Sequence, residues 1–229
     1  MSEKDTSVGG GRSATLVAAA ILASKLVGLV RQRVTAHFFG TGFYADVIAA
    51  AFRVGNLAQN LLGEGTLSAT FIPIYARLRE EGKDDEAVAF ARSALGLLAV
   101  AVALFTAVGV ALAPWITLAV AAGFDDEKLA VTTRLVRLLF PMTGLLVLCA
   151  WALGVLNAHR RFFIPYVAPV IWRTAQITAL LIGGGWLAHS QEPLARFLAY
   201  GAIVGAGLEL VFLMWRARRH LGTLRASLA

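Results

Sequence analysis

Between Ser93 and Phe124 the chain carries no charged residue. A helix needs about 20 predominantly apolar residues to cross a hydrocarbon core of about 30 Å, so this run is long enough to span a membrane. The whole composition agrees with that reading, because 58% of the residues are hydrophobic, 15% are charged and the mean hydropathy is +0.71. These values lie far from those of an ordinary soluble domain. We therefore expect an all-α integral membrane protein.

Six apolar runs are long enough to cross a membrane as helices. They cover approximately residues 14–39, 44–75, 91–114, 129–158, 165–188 and 195–215. The second run is longer than one span requires and contains Gly63, Gly65 and Pro73, which predicts a kink or break in its later half. The sequence thus predicts a disordered cytoplasmic tail at 1–13, a six-helix transmembrane lobe at 14–217 and a basic cytoplasmic tail at 218–229.

Positive charge follows every second apolar run. The cations after the second, fourth and sixth runs are Arg77, Arg79, Lys83, Arg160, Arg161, Arg216, Arg218, Arg219 and Arg225. The three alternate connections, "GTGFYAD", "WITLAVAAGFDDEK" and "HSQEPL", contain a single lysine between them. Because Lys and Arg accumulate in cytoplasmic connections, both termini are expected to be cytoplasmic.

Polar residues in the second run lie on one side of the predicted helix. They are Asp46, Arg53, Asn56, Asn60 and Glu64. At 100° per residue they fall within a stripe about 80° wide, and Asp46 and Glu64 lie about 27 Å apart along the axis. Such a stripe either joins helices through an internal polar seam or faces a water-filled cavity. The presence of both charge signs favours a hydrated, functional cavity.

Cations also interrupt the first run. Lys25 and Arg31 have apolar residues on both sides, and Ser24 is adjacent. Arg33 is close enough to the end of the run to snorkel toward an interface. Ammonium and guanidinium groups are the usual partners of phosphate oxygens. Together with the amides of the second run, these cations predict a transported anion that contains a phosphate or diphosphate group.

The last two runs contain features that concern packing. Arg173 lies about 13 Å from the cytoplasmic start of the fifth run, and Glu209 about 10 Å from the cytoplasmic end of the sixth. These similar depths predict a structural ion pair, since burying either charge alone would be costly. Gly201, Gly205 and the nearby Gly207 predict close approach between helix backbones.

Enzymatic and metal chemistry find little support in the sequence. The four histidines lie far apart in the sequence, and no HExxH, GxSxG or Walker-type loop occurs. Cys149 is the single cysteine, so neither a disulfide nor a cysteine-based metal site can be built within one chain. The basic residues sit in short clusters between apolar runs, which argues against nucleic acid as a partner. We expect no enzyme activity, no cofactor and no bound metal.

The segment "SKLVGLVRQRVTAHFFGTGFYADVIAAAFRVGNLAQNLLGEGTLSATFIPIY", Ser24 to Tyr75, resembles the opening of MurJ/MviN-type lipid II flippases. These belong to the multidrug/oligosaccharidyl-lipid/polysaccharide exporter superfamily. "APWI" at Ala113 and "GVLNAHRRFFIPYVAP" from Gly154 are also similar to that family. The resemblance covers approximately residues 14–222.

The resemblance implies one six-helix lobe of a two-lobe transporter in the bacterial cytoplasmic membrane. Its cargo would be the undecaprenyl-diphosphate-linked disaccharide-pentapeptide of peptidoglycan synthesis, moved to the outer leaflet by alternating access. The expected partners are this lipid-linked precursor, membrane lipids, and a missing C-terminal lobe or a second copy. The alternatives are a related exporter of another polyprenyl-diphosphate oligosaccharide and a non-transporting membrane scaffold of the cell-wall machinery.

The resemblance also implies roles for individual residues. Arg31 matches an essential cavity arginine, Asp46 and Glu64 match essential acidic residues, and Ser24 and Asn56 match polar cavity positions. Lys25, Gln32 and Gln59 depart from the family pattern. The predicted substrate-binding set is Ser24, Lys25, Arg31, Asp46, Arg53, Asn56, Asn60 and Glu64.

Overall fold

The described part of the chain consists mainly of helices. The computed structural model describes residues 5–60, 70–159, 163–187 and 190–221, and these contain no strand. Their helices are α1 (Asp5–Phe39), α2 (Phe43–Gln59), α3 (Ile72–Glu80), α4 (Asp84–Val120), α5 (Asp126–Ala158), α6 (Ile164–Leu187) and α7 (Gln191–Leu221). The prediction of an all-α protein is confirmed.

Four helices of the described part are long and apolar enough to cross a membrane. They are Asp84–Val120, Asp126–Ala158, Ile164–Gly185 and Gln191–Leu221, which correspond to the third to sixth predicted runs. Neither α1 nor α2 meets this criterion within the described residues. Helix α2 has only 17 residues, fewer than the about 20 that a span requires. The six-span arrangement therefore stays a prediction.

Two predicted tail segments are partly helical. Helix α1 begins at Asp5, inside the segment predicted to be disordered, because extending an existing helix is far easier than nucleating one. Helix α7 continues to Leu221, four residues into the predicted basic tail. Leu221 is buried, and its carbonyl oxygen accepts a hydrogen bond of 2.6 Å from Nη2 of Arg92 on α4. This contact fixes the last turn of α7 to the rest of the lobe.

The described residues of the second predicted run contribute to two helices. Helix α2 ends at Gln59, and α3 begins at Ile72 with Pro73 in its first turn. Proline is tolerated there, because the first N–H groups of a helix have no intrahelical partner. The predicted kink around Gly63 and Gly65 lies outside the described residues.

Helix α5 is the centre of the lobe. It packs against α2, α4 and α7, whereas α1 packs mainly on α6, which in turn packs on α7. One apolar cluster contains Phe39, Val47 and Leu139, and a second contains Tyr75, Trp151 and Leu213. Helix α5 contributes to both clusters, so it connects the two ends of the core.

Two of the three predicted packing glycines lie at a close helix contact. A Cβ atom on Gly201 would lie 2.3 Å from the Cβ of Ala179, and one on Gly205 would lie 2.9 Å from the carbonyl oxygen of Trp172. These contacts bring α7 against α6 and confirm the prediction for both positions. Nothing lies within 4 Å of a Cβ built on Gly207, so the prediction was wrong there.

Helix α4 presents an apolar face to the surroundings. The exposed large side chains on it are Leu97, Val100, Leu104, Val108, Leu112, Trp115 and Leu118. They recur every three or four residues, the spacing of one helix face. An exposed apolar face of this length is what lipid contact requires.

Candidate functional site

Helix α2 separates its polar and apolar residues onto opposite faces. Its buried residues are Val47, Ile48, Ala50, Ala51, Phe52, Val54, Gly55 and Ala58. Asp46, Arg53, Asn56 and Asn60 are all exposed. The predicted stripe thus points away from the core of the lobe. Its last member, Glu64, lies outside the described residues.

Asp46 has a cationic partner on α5. Its Oδ2 lies 2.6 Å from Nζ of Lys128, whose ammonium group also lies 4.6 Å from the ring centroid of Phe124 and 5.6 Å from that of Phe43. The backbone N–H of Lys128 donates to Asp125, the residue that caps α5. The fold therefore holds the Asp46 end of the stripe against α5.

Sequence reasoning did not identify Lys128 as a site residue. The two partners are 82 positions apart in the chain, so no local pattern connects them. One signal was present, since Lys128 is the single lysine of the three connections predicted to face outward.

Arg31 is positioned by a buried amide. Its Nη1 donates a hydrogen bond of 3.1 Å to Oε1 of Gln176 on α6, and Gln176 is 0% exposed. The guanidinium carbon lies 5.9 Å from the ring centroid of Phe52 on α2, within the range of a cation–π contact. Arg31 also lines a cavity of about 260 Å³ that includes Phe39 and Ile48. Sequence reasoning missed Gln176, although an amide inside an apolar run was the available signal.

Ser24 and Lys25 have different surroundings on α1. Lys25 is exposed. Both the carbonyl oxygen and Oγ of Ser24 accept hydrogen bonds of 2.8 Å from Nη1 of Arg173 on α6. The guanidinium group of Arg173 also lies 3.8 Å from a Cβ built on Gly28, one turn after Ser24. Ser24 is therefore a packing partner of α6 in this structure, in addition to its predicted place in the cavity.

The ion pair predicted between Arg173 and Glu209 requires correction. It is absent from the ion pairs of the described residues, because the guanidinium group of Arg173 is directed at the two oxygens of Ser24. Both residues nevertheless line one cavity of about 480 Å³, which we call the inner polar cavity. Its polar lining residues include Gln59, Asn157, Arg173 and Glu209. Oε2 of Glu209 has no hydrogen-bond partner among the described residues.

Two arginines of α5 were also missed. Arg134 and Arg137 are exposed, although both lie within a candidate membrane span. Nη1 of Arg134 lies 3.7 Å from Oε1 of Glu192 on α7. Arg134, Glu192 and Tyr44 line a cavity of about 340 Å³. Their position inside the apolar run 129–158 was the available sequence signal.

The described residues suit anion binding better than bond-making chemistry. Cations, amides and a paired carboxylate lie on α1 and α2, where guanidinium and ammonium groups can receive phosphate oxygens. Within the described part of the chain, no three His, Cys, Asp or Glu residues are grouped to hold a metal ion.

Comparison with known proteins agrees with this description. Residues 35–228 match the family model described as "Lipid II flippase MurJ". The chain belongs to the lipid II flippase MurJ family. The match includes α2 to α7 and therefore the whole polar face of α2.

Individual MurJ relatives extend this finding. The lipid II flippase MurJ of Burkholderia cenocepacia is 33% identical over 202 residues, which cover 87% of this chain and 38% of the relative. A probable lipid II flippase MurJ of Rhizobium tropici is 33% identical over 211 residues, which cover 90% of this chain and 39% of that relative. The chain thus spans about two fifths of the length of these MurJ relatives.

A solved MurJ structure shows the same fold. It is described as "Lipid II flippase MurJ, inward closed conformation" and is similar with a TM-score of 0.73 at 20% identity. The similarity covers 94% of this chain and 43% of that structure. At this identity the comparison establishes the arrangement of helices, and the MurJ family assignment rests on the sequence match.

Proposed function

We propose that this chain is the N-terminal six-helix lobe of a lipid II flippase in the bacterial cytoplasmic membrane. It would move the undecaprenyl-diphosphate-linked disaccharide-pentapeptide from the inner to the outer leaflet by alternating access. The observation that carries the proposal is the polar face of α2, which is turned away from the core of its own lobe. The names of the matched relatives support the choice of cargo.

The exposure of this face supports a cavity with a second wall. Charged and amide side chains at membrane depth rarely face lipid, because each would lose its hydration without a partner. Asp46, Arg53, Asn56 and Asn60 therefore border water, and a second lobe supplies the opposite wall. That lobe belongs either to the same protein or to a second copy of this chain.

Positive groups on the two helices would receive the diphosphate. Arg31 is held by Gln176 in a fixed orientation, and Lys25 is exposed on the same helix. Arg53 would add a guanidinium group from α2. Guanidinium groups bind phosphate oxygens in pairs, whereas ammonium groups act as point charges. In the proposal Glu64 completes the polar face.

The proposed topology has six spans and two cytoplasmic termini. Thr41 and Ser190 lie in connections predicted to face outward, and Lys83 lies in one predicted to face inward; all three are exposed. A membrane-impermeant thiol reagent should label Thr41→Cys and Ser190→Cys in intact cells, and Lys83→Cys only after permeabilisation. Labelling of Lys83→Cys in intact cells would contradict the topology.

Complementation tests the function. The gene that encodes this chain is expressed in a bacterium depleted of its own lipid II flippase, and Arg31→Ala should abolish rescue at normal expression. Arg33→Ala is the matched control, because Arg33 is exposed two positions away and has no assigned role in the cavity.

The outcomes separate the candidate functions. Growth with Arg31→Ala at normal membrane levels favours a non-transporting scaffold and opposes the flippase. Failure of the unaltered protein to rescue favours an exporter of another polyprenyl-diphosphate oligosaccharide.

A further inference from the structure

The inner polar cavity contains a buried carboxylate without a settled partner. Glu209 is 3% exposed, and its Oε2 has no hydrogen-bond partner within the described part of the chain. An isolated ionised carboxylate is very costly to bury. Glu209 can avoid that cost either by binding a proton or by pairing with a cation.

The groups that face Glu209 are few. Helix α6 contributes Arg173, α5 contributes the Cys149 thiol and the Asn157 amide, and α2 contributes the Gln59 amide. None of the described lining residues comes from α4. Arg173 is therefore the single charged group, besides Glu209, among the described lining residues.

Arg173 is occupied elsewhere in this structure. Its Nη1 donates to both oxygens of Ser24 on α1, at 2.8 Å each. This arrangement fits a protonated, neutral Glu209, because a carboxylate in the same cavity would attract the guanidinium group. Ser24 on α1 and Glu209 on α7 thus compete for the position of one guanidinium group, and the charge on Glu209 decides between them.

We propose that Glu209 is a proton-binding site, and that its proton determines whether Arg173 binds Ser24 on α1 or Glu209 on α7. With the proton bound, Arg173 stays on Ser24. When the carboxyl O–H bond breaks, the proton leaves to water in the cavity and the carboxylate pairs with Arg173. The inference goes beyond the proposed function, because it depends on no particular cargo.

The lining residues indicate the side from which the proton is exchanged. They include Asn157 near the end of α5 and Pro165 near the start of α6. The cavity therefore lies near the connection between α5 and α6, which the distribution of Lys and Arg places on the cytoplasmic side.

Loss of the proton would loosen α1. Two side-chain hydrogen-bonded contacts described here join α1 to α6: Arg173 with Ser24, and Arg31 with Gln176. Arg173 and Gln176 are neighbours on α6, separated by about one turn. Release of Ser24 would leave the bond from Arg31 to Gln176 as the remaining side-chain hydrogen bond between α1 and α6 among the described residues.

A metal cation fits this cavity less well than a proton. Hard cations take several oxygen ligands, of which carboxylates are the strongest, and this cavity offers one carboxylate among its described residues. The positive charge of Arg173 would also repel the ion.

Infrared difference spectroscopy of the purified chain in lipid nanodiscs tests proton binding. Unaltered protein should show a carboxylic-acid C=O band that remains after the exposed carboxylates have ionised and that disappears as the pH rises further. Glu209→Gln should lack this band, and the matched control Glu127→Gln, an exposed carboxylate, should retain it. A band that is the same in Glu209→Gln would overturn the proposal, and so would a band that disappears with added Na⁺ at constant pH.

Thermal unfolding tests the exchange of Arg173 without relying on the Glu209 variant alone. Ser24→Ala should lower the melting temperature at low pH, where Arg173 binds Ser24, and have little effect at high pH. In the Glu209→Gln background, Ser24→Ala should lower the melting temperature equally at both pH values. If Ser24→Ala lowers the melting temperature equally at both pH values while Glu209 is unaltered, the proposed exchange of Arg173 is wrong.

Discussion

Replacing Gly205 by alanine tests the contact between α6 and α7. The new Cβ would lie 2.8 Å from the Cβ of Ala175 and 2.9 Å from the carbonyl oxygen of Trp172, where ordinary contact begins at 3.4 Å. One of these neighbours is backbone, so the two helices must move apart. Overpacking of this kind costs about 1–3 kcal/mol. Alanine also gains up to about 1 kcal/mol of helix propensity.

Gly207→Ala is the matched control on the same helix. Nothing lies within 4 Å of its new Cβ, so only the propensity gain applies. Because both variants make the same chemical change, their difference isolates the overpacking. The free energy of unfolding of Gly205→Ala should therefore be about 1–3 kcal/mol below that of Gly207→Ala.

Equilibrium unfolding of the purified chain in detergent micelles measures this difference. Tryptophan fluorescence is a suitable signal, since Trp172 lies at the contact and its Nε1 donates a hydrogen bond of 3.1 Å to the carbonyl oxygen of Ala202. Equal stability of the two variants, or greater stability of Gly205→Ala, would refute the close packing of α6 on α7 at Gly205.

Two further predictions concern residues that position the polar groups. Gln176→Leu removes the hydrogen-bond acceptor of Arg31. Hydrogen bonds to charged groups contribute about 1.5–3 kcal/mol. Binding of a lipid diphosphate to the purified protein should therefore weaken about tenfold or more. Unchanged affinity would show that Arg31 needs no such support. Lys128→Met leaves Asp46 without its ion pair and should lower the free energy of unfolding more than Lys83→Met, because the Lys128 side chain is 17% exposed and that of Lys83 is 50% exposed. Equal losses would contradict a special role for the pair of Lys128 and Asp46.

The helices were largely predictable, because length and apolarity decide where they form. The third to sixth predicted runs coincide with α4 to α7 to within several residues at each end. The phase of the polar stripe was also predictable, since 100° per residue fixes which side chains of α2 share a face. The start of α1 and the end of α7 were not predictable, because each helix extends beyond its apolar run.

The partners of the polar residues were much less predictable. Similar depths were predicted for Arg173 and Glu209, and the two line one cavity. Depth does not reveal which neighbouring helix offers the better acceptor, and Ser24 lies 149 positions before Arg173. Lys128 and Gln176 were missed for the same reason. Long-range pairing depends on which helices pack together. The order of the apolar runs along the chain does not determine that packing.

The apolar face of α4 also fixes where the lobe sits in a bilayer. From Leu97 to Leu118 the exposed side chains extend over about 32 Å at 1.5 Å per residue, close to the hydrocarbon thickness of about 30 Å. The acidic first turn, Asp84 to Glu86, lies roughly 17–20 Å before this band and thus projects into water. A thinner bilayer would tilt α4, and because α4 packs on α5, hydrophobic mismatch would be transmitted to the central helix of the lobe.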